Sequence, residues 1–514
     1  MTSGADTGAP DGGTPPTGAP DGGTLEEQQA RRRAKLDALR GAGGDPYPSG
    51  FRRDRTAASL HEEFAALAPG TETDTAATVA GRLVLIRRQG KLVFATLRDG
   101  TGEIQLFVSR ADLGDRAFDA FDDLDMGDVV GVEGTVMTTR KGELSVKVRS
   151  CALLAKALRP LPDKWHGLAD VETRFRHREL DLVANEEARR VFDVRLATVS
   201  HLRSTLADAG FHEVETPVLH PQAGGAAARP FVTHYNALGV DAFLRVAPEL
   251  YLKRLLVGGY ERVFELAKVF RNEGLTTRHQ PEFTMLEAYQ AYADYTDMLE
   301  LTERLVAGAA QAVLGTTEVE VDGARLDLAP PWPRRPMLDL VKEHAGVDVH
   351  PSMPVEDLRS VCDDLEVEYE EFWGSGKLVL EIYEKTTEAG LVGPVFVMDH
   401  PLEVSPLARE HRDDPHLVER FEPVVLGREL GNAFTELNDP VEQRRRFAMQ
   451  AALAAHGDVE AHGVDEAYIE ALELGLPPCG GLGIGVDRLV MVLAGVTSIR
   501  EVLFFPFLRP GGPA

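Results

Sequence analysis

The alternation of apolar and polar positions is clearest between residues 78 and 157. Short segments with a period of two, which is the period of β-strands, are separated there by turns. The pattern predicts a helical interlude near Ala111–Phe121 and five strands, at residues 80–86, 91–97, 103–108, 128–134 and 143–148. Five short strands in so short a segment are typical of a small closed β-barrel.

After residue 157 the pattern becomes one of mixed helices and strands. A helix is predicted at 191–206 from one apolar stripe, formed by Val194, Val199, Leu202 and Leu206. Residues 243–292 alternate between strand and helix, and residues near 315–390 are mainly helical and polar, as in an insertion. In the C-terminal region the pattern predicts a strand pair at residues 421–436, a helix at 486–493 and a last strand at 502–507.

The composition divides the chain further. A segment rich in Gly, Pro, Thr and Asp begins at Thr7 and is repeated from Thr17. It has almost no apolar side chains to bury, so it predicts a disordered tail. The basic helix that follows from Leu25 is either a solvated surface or a nucleic-acid contact. The predicted segments are the tail (1–24), the basic helix with its connection (25–60), an OB-type barrel (61–157), a linker (158–190) and a C-terminal domain that contains the insertion (191–514).

Charge and cysteine content narrow the class of protein. The net charge of −27 argues against indiscriminate polyanion binding, but it leaves room for a structured RNA bound by local basic patches. Three widely spaced cysteines give neither a disulfide framework nor a metal-site spacing. No membrane span or signal peptide is recognisable, so we expect a cytoplasmic protein without a membrane partner.

Two later strands carry unusual faces. With a period of two, Phe283, Glu287 and Tyr289 share one face of the first strand. Asn432, Phe434 and Glu436 share one face of the second. Carboxylates and an amide among aromatics are typical of a binding site, because a packing face presents aliphatic residues. The alternative, an exposed polar face, would leave the aromatic rings in water.

The residue types predict which ligands such a site takes. Buried carboxylates need a cationic partner, so Glu436 beside Tyr289 suits a substrate ammonium. Arg271 can form a forked contact with a phosphate, and Arg488 can stack on a purine opposite Phe283. Glutamates suited to Mg²⁺ that is held partly by ATP phosphates are Glu422 and Glu429. No G-x-x-x-x-G-K-[ST] string occurs, so ATP would be bound without a phosphate-cradling loop.

These motifs resemble those of bacterial class II lysyl-tRNA synthetases. The resemblance extends over residues 25–510 and is strongest in strings at 157–164, 224–231, 245–254, 270–274, 405–408, 432–439 and 481–488. It implies an α+β protein, with an N-terminal OB-type barrel that binds the anticodon and an antiparallel-sheet catalytic core flanked by helices. It also implies a homodimer that joins L-lysine to tRNA(Lys) with ATP and Mg²⁺.

The resemblance implies a role for each matching residue. Arg271 and Arg488 would be the catalytic residues, and both would also bind ATP together with Glu273, His279, Phe283, Glu422 and Glu429, the last two through Mg²⁺. Lysine would be bound by Gly225, Glu249, Glu287, Tyr289, Asn432, Phe434 and Glu436. The anticodon would be read by Arg87, Phe94, Gln105 and Glu143, although the strand pattern alone favours a packing role for Phe94.

Two other interpretations stay open. The first is a different enzyme of the same scaffold, such as an aspartyl- or asparaginyl-type synthetase, or a lysine ligase with another acceptor. An aspartate site would need a cationic residue where Glu436 and Tyr289 stand. The second is a non-catalytic RNA-binding or regulatory paralogue. It predicts the loss of residues such as Arg271, Glu422 or Arg488, and all of these are present.

Overall fold

A computed structural model describes residues 23–161, 170–222, 224–226, 228–455 and 463–510. The predicted disordered tail therefore lies outside the described residues, apart from Gly23 and Thr24. The chain divides into two compact units, residues 1–169 and 170–514. Within the described ranges no helix is long and apolar enough to cross a membrane.

The N-terminal unit contains a closed five-stranded barrel. Its helices are α1 (Leu25–Gly41), α2 (Ala57–Glu63), α3 (Arg110–Leu113) and α4 (Asp115–Asp122). Its strands are β1 (Glu72–Gln89), β2 (Leu92–Arg98), β3 (Glu103–Ser109), β4 (Val129–Thr138) and β5 (Leu144–Ala155). They close in the order β1-β2-β3-β5-β4, so the barrel leaves no open sheet edge. The alternating Val, Leu and Ile residues fill its interior, which confirms the five predicted strands.

One buried ion-pair network stabilises the end of the barrel. Lys156 lies between Asp125 and Asp128, and its Nζ atom is 2.8 Å from Asp128 Oδ2. Asp128 also accepts a hydrogen bond from the backbone N–H of Ala157. Lys35 of α1 reaches Asp125 Oδ1 at 2.9 Å. The basic helix therefore packs on its own unit through at least one of its cations.

The C-terminal unit contains more elements. Its helices are α5 (Val171–Arg176), α6 (Arg178–Ala184), α7 (Glu186–Asp208), α8 (Glu249–Val257), α9 (Tyr295–Leu314), α10 (Met337–Ala345), α11 (Val355–Asp364), α12 (Ser375–Thr386), α13 (Pro440–Ala455), α14 (Glu466–Glu473), α15 (Val486–Ala494) and α16 (Ile499–Val502). Two short 3₁₀ helices lie at Glu388–Gly390 and Leu402–Val404.

The strands of this unit are β6 (His212–Glu213), β7 (Leu219–His220), β8 (Val232–Tyr235), β9 (Val240–Leu244), β10 (Arg262–Phe270), β11 (Glu282–Ala291), β12 (Glu318–Val321), β13 (Ala324–Asp327), β14 (Arg334–Pro336), β15 (Val395–Met398), β16 (Arg420–Val424), β17 (Gly431–Thr435) and β18 (Cys479–Gly485). Eight strands form one sheet in the order β14-β15-β16-β17-β18-β11-β10-β6. A three-stranded sheet, β7-β9-β8, and the hairpin β12-β13 lie beside it.

The middle of the large sheet is antiparallel. β18 pairs with β17 on one side and with β11 on the other. Gly481 is opposite both Tyr289 and Phe434, and Gly483 is opposite both Glu287 and Asn432. The two faces predicted from the period of two therefore flank one glycine-rich strand. The other side of the sheet packs on α7, α9 and α15 through a large aliphatic core.

Two regions differ from the simplest expectation. The prediction of a strand at residues 502–507 is wrong, because α16 ends at Val502 and residues 503–510 form no strand. Pro506 lacks a backbone N–H, and Phe505 and Phe507 are largely exposed, so this apolar run has no ladder to join. The predicted insertion contains the hairpin β12-β13 as well as α10, α11 and α12.

The network around Lys156 gives a stability prediction. Lys156→Met should lower the free energy of unfolding by about 3 kcal/mol, because it leaves Asp128 buried without its cation. Urea unfolding followed by circular dichroism measures the change. Lys342→Met is the control, because that lysine forms an exposed ion pair with Asp348. An equal, small effect of both substitutions would contradict the buried network.

Candidate active site

One cavity of about 710 Å³ opens over the middle of the large sheet. The fourteen residues predicted for ATP, lysine and Mg²⁺ all line it: Gly225, Glu249, Arg271, Glu273, His279, Phe283, Glu287, Tyr289, Glu422, Glu429, Asn432, Phe434, Glu436 and Arg488. The structure thus brings the predicted residues together, while their individual roles stay predictions. Carboxylates gather around one part of the cavity and arginines around another.

Glu436 is the residue that most clearly indicates a ligand site. The residue is 1% exposed, and its Oε2 atom forms an ion pair with Lys253. Its Oε1 atom is buried without a hydrogen-bond partner among the described residues. A buried carboxylate oxygen without a partner is costly, so its position next to the cavity indicates a site for a hydrogen-bond donor.

Glu287 lies beside this group in the next strand but one. Burial raises the pKa of Glu287 to about 8, and the neighbouring charge of Glu249 adds to the effect. The hydroxyl of Tyr289 donates a hydrogen bond of 3.1 Å to Glu287 Oε2. At neutral pH Glu287 therefore holds a proton, which the arrival of a cation would displace.

The glycines of β18 make room for these side chains. A Cβ atom on Gly481 would lie 1.9 Å from Glu436 Oε1 and 2.6 Å from the Tyr289 ring. A Cβ atom on Gly483 would lie 3.2 Å from Met285. The strand therefore forms the floor of the carboxylate region with its bare backbone. This is a steric reason for glycine, and it is distinct from the phosphate-binding use of glycine-rich loops.

The arginine region contains the predicted nucleotide contacts. The guanidinium of Arg271 lies 5.3 Å from the centre of the Phe283 ring. Arg488 donates to the backbone oxygen of Glu429 at 2.5 Å and approaches Glu429 Oε2 at 3.3 Å. Burial lowers the pKa of His279, and the charge of Arg488 lowers it further, so the imidazole is neutral at pH 7. The purine stacking predicted between Phe283 and Arg488 stays a prediction.

Acidic side chains surround the predicted metal ligands. Glu422 forms an ion pair of 2.5 Å with Arg420. Burial raises the pKa of Glu384 to about 7, with help from Glu381, and it raises the pKa of Glu388 to about 7, with help from Glu422. This surplus of negative charge fits a divalent cation.

The described ranges contain no group of three or more His, Cys, Asp or Glu residues arranged to hold a metal. A pair of carboxylates is nevertheless what Mg²⁺ requires when nucleotide phosphates and water supply its other ligands. Glu422 and Glu429 therefore fit such an ion, which would be bound together with ATP.

Sequence reasoning missed two residues of this region. Lys253 is fully buried between Glu249 and Glu436, and Glu384 lines the cavity from α12. The spacing of four between Glu249 and Lys253 on a predicted helix was the available signal for the first. Nothing in the local pattern distinguishes Glu384 from the other acidic residues of the insertion.

The barrel carries the predicted nucleic-acid residues on one surface. Arg87 is opposite Phe94 on adjacent strands, and its Nη2 atom donates to Gln105 Oε1 at 3.3 Å. Gln105 donates to Ser145 Oγ, which donates to the backbone oxygen of Glu143. Phe94 is half-buried and makes an edge-to-face contact with Phe107, and the centres of the two rings are 5.5 Å apart. An aromatic platform beside an arginine suits the stacking of bases, and sequence reasoning missed Phe107.

Comparisons with known proteins agree with both units. The family model for class II tRNA synthetases (D, K and N) matches residues 170–509, and the OB-fold nucleic acid binding domain matches residues 77–154. A lysine–tRNA ligase of Pelotomaculum thermopropionicum is 49% identical over 95% of this chain and 96% of its own. Those of Moorella thermoacetica and Enterococcus faecalis are each 50% identical over 94% of this chain, and the matches cover 97% and 98% of their own lengths. The chain therefore belongs to the class II tRNA synthetases, in the family of the lysine–tRNA ligases.

Proposed function

We propose that this protein is a lysine–tRNA ligase. It activates L-lysine with ATP to give lysyl-adenylate, and it transfers the lysyl group to the 3′ end of tRNA(Lys). The observation that carries the proposal is Glu436 Oε1, which has no hydrogen-bond partner in the described part of the chain and lies beside a cavity that Glu249 and Glu287 also line. The family membership of the chain supports the same reaction.

The charges of the carboxylate region match lysine. Two of its three glutamates, Glu249 and Glu436, pair with one internal cation, Lys253, and the charge of Glu249 also acts on the third, Glu287. Lysine brings two ammonium groups. Burial raises the pKa of Glu436 as it raises that of Glu287, so two ammonium groups bound beside them would favour the charged forms of both carboxylates. The carboxylate of lysine then points away from the glutamates, toward Arg271.

This orientation prepares the first step. The lysine carboxylate attacks the α-phosphorus of ATP, the bond from that phosphorus to the bridging oxygen breaks, and pyrophosphate leaves. Arg271 would contact the α-phosphate and stabilise the negative charge that develops on it. The neutral His279 would add only a hydrogen bond and no charge. Mg²⁺ held by Glu422 and Glu429 would neutralise phosphate charge. The protein contributes position and charge, so no covalent intermediate with the chain is needed.

In the second step, a hydroxyl of the terminal adenosine of tRNA attacks the activated carbonyl carbon, and AMP leaves. The anticodon would lie on the barrel surface formed by Arg87, Phe94, Gln105 and Glu143. A cytoplasmic location follows from the need for tRNA and ATP.

The partner of the C-terminal unit would be a second copy of the chain. The sheet β7-β9-β8 exposes several apolar side chains, namely Leu219, Val232, Tyr235, Leu238 and Val240. An apolar surface of this kind marks a protein interface. The homodimer implied by the resemblance would cover it.

ATP–pyrophosphate exchange with each of the twenty amino acids tests the proposed function. Exchange with lysine, and with no other amino acid at comparable concentration, is the expected result. Charging of tRNA(Lys) then identifies the acceptor. Exchange with another amino acid would show that the ammonium-binding assignment of Glu436 is wrong, and no exchange would favour the regulatory paralogue.

Glu436→Gln should lower kcat/KM for lysine in pyrophosphate exchange at least 100-fold. The amide cannot balance the charge of the substrate ammonium, and it leaves Lys253 with one carboxylate fewer, a loss of about 3 kcal/mol or more. Glu410→Gln, which changes an exposed carboxylate of the same unit, is the matched control and should keep normal activity. Near-normal exchange by the Glu436 variant would refute the assignment.

Lysine binding at pH 7 should release a proton. Glu287, with a pKa of about 8, is protonated in the free protein, and a bound ammonium lowers that pKa, so lysine affinity should rise between pH 6 and about 8. Calorimetric titration in buffers of different ionisation enthalpy measures the release. Glu287→Gln should abolish the buffer dependence, and proton uptake by the unaltered protein would contradict the assignment.

Phe94→Ala should weaken tRNA use without affecting lysine activation. Stacking of one base on an aromatic side chain is worth about 1–3 kcal/mol, so kcat/KM for tRNA should fall about 10- to 100-fold. Aminoacylation with tRNA(Lys) transcript gives this value. Pyrophosphate exchange without tRNA serves as the internal control and should stay unchanged. An unaltered kcat/KM for tRNA would show that Phe94 has a packing role and does not stack on a base.

A further inference from the structure

Lys253 is a buried cation to which the proposed reaction gives no chemical step. Its side chain is 0% exposed and lies outside the cavity lining, whereas both of its carboxylate partners belong to that lining. Its Nζ atom is 2.5 Å from Glu249 Oε1 and forms a second ion pair with Glu436 Oε2. The Phe434 ring, 5.3 Å away, closes another side.

The two partners of Lys253 hold different parts of the substrate in the proposed function. The resemblance to lysyl-tRNA synthetases implies that Glu249 contacts the α-amino group of lysine, and that Glu436 belongs to the pocket for its side-chain ammonium. Glu249 and Lys253 lie one turn apart on α8, and Glu436 follows β17 on the facing strand. One ammonium group therefore forms ion pairs with both carboxylates that would contact the two ammonium groups of lysine.

We propose that Lys253 is a positioning residue that sets the distance between Glu249 and Glu436, and thereby the length of the diamino acid that the cavity accepts. The proposal rests on the proposed function. It predicts discrimination between lysine and ornithine, which carries the same charges on a side chain one methylene shorter.

The physical argument depends on repulsion and on space. Without Lys253, two like charges would face each other in a region of low dielectric constant, and they would move apart or take up a proton. A Cβ atom on Gly481 would lie 1.9 Å from Glu436 Oε1, so the main chain is close on that side, and the carboxylate would have to turn or take up a proton. Burial lowers the pKa of the Lys253 ammonium, but Glu249 and Glu436 more than offset this and raise that pKa well above its usual value. The Lys253 side chain therefore stays charged.

The distinguishing measurement is the ratio of kcat/KM for lysine to kcat/KM for ornithine in ATP–pyrophosphate exchange. Both values come from one preparation, so the ratio does not depend on the fraction of folded or active protein. Lys253→Met keeps a similar volume and removes the charge. We expect KM for lysine to rise at least tenfold, KM for ATP to change less than threefold, and the lysine-to-ornithine ratio to fall at least tenfold.

Lys156→Met is the matched control. It also replaces a buried, ion-paired lysine by methionine, in the barrel unit. It should lower stability and leave the lysine-to-ornithine ratio and both KM values unchanged. A purely structural role for Lys253 predicts the same behaviour for both variants, and an unchanged ratio in Lys253→Met would overturn the proposal.

Lys253→Arg provides a second test, including the case in which Lys253→Met does not fold. The guanidinium keeps the charge but is wider and longer, so it should change the spacing and lower the ratio at least threefold. A ratio equal to that of the unaltered protein would overturn the proposal. The proposed function fails separately, when the unaltered protein gives no exchange with lysine.

Discussion

The constraint on which the site depends is the burial of three carboxylates, of which only two are paired with one ammonium group. Glu249, Glu287 and Glu436 are all nearly inaccessible, and Lys253 is the cation between the first and the last. A group of this kind is costly in a protein interior unless each charge is compensated. Here the compensation is incomplete: burial raises the pKa of both Glu287 and Glu436, and Glu436 Oε1 has no hydrogen-bond partner in the described part of the chain. In the proposed function, the two ammonium groups of lysine would supply the missing compensation.

The rest of the C-terminal unit makes this arrangement possible. Strands β11 and β17 supply the acidic and aromatic side chains, and β18 between them supplies only backbone at Gly481 and Gly483. Any side chain at Gly481 would occupy the position of Glu436. Arginines lie at the other part of the same cavity. In the proposed function, this distribution of charge would orient lysine with its carboxylate directed toward the phosphates of ATP.

Much of this could be predicted from the sequence because the signals are local. The period of two placed Glu287 with Tyr289 and Asn432 with Glu436, and the five barrel strands alternate clearly. The strand expected at 502–507 failed because an apolar run predicts a strand only when a partner is available, and partners are set by tertiary structure. Lys253 was missed for a related reason. It stands beside Arg254 in an apolar helix, and only the packing of α8 decides that the lysine is buried while the arginine lies over Tyr251.

The net charge of −27 is compatible with an RNA partner because recognition is confined to small surfaces. In the barrel unit the predicted anticodon residues form one continuous set of contacts, from Arg87 through Gln105 and Ser145 to the backbone of Glu143. In the proposed function, such a surface would select bases by stacking and hydrogen bonds, and the acidic remainder of the protein would repel polyanions that lack those bases. In the cavity, the excess of carboxylates would likewise reject amino acids without a second ammonium group. In both places unbalanced charge is the cost of selectivity, because only the correct ligand neutralises it.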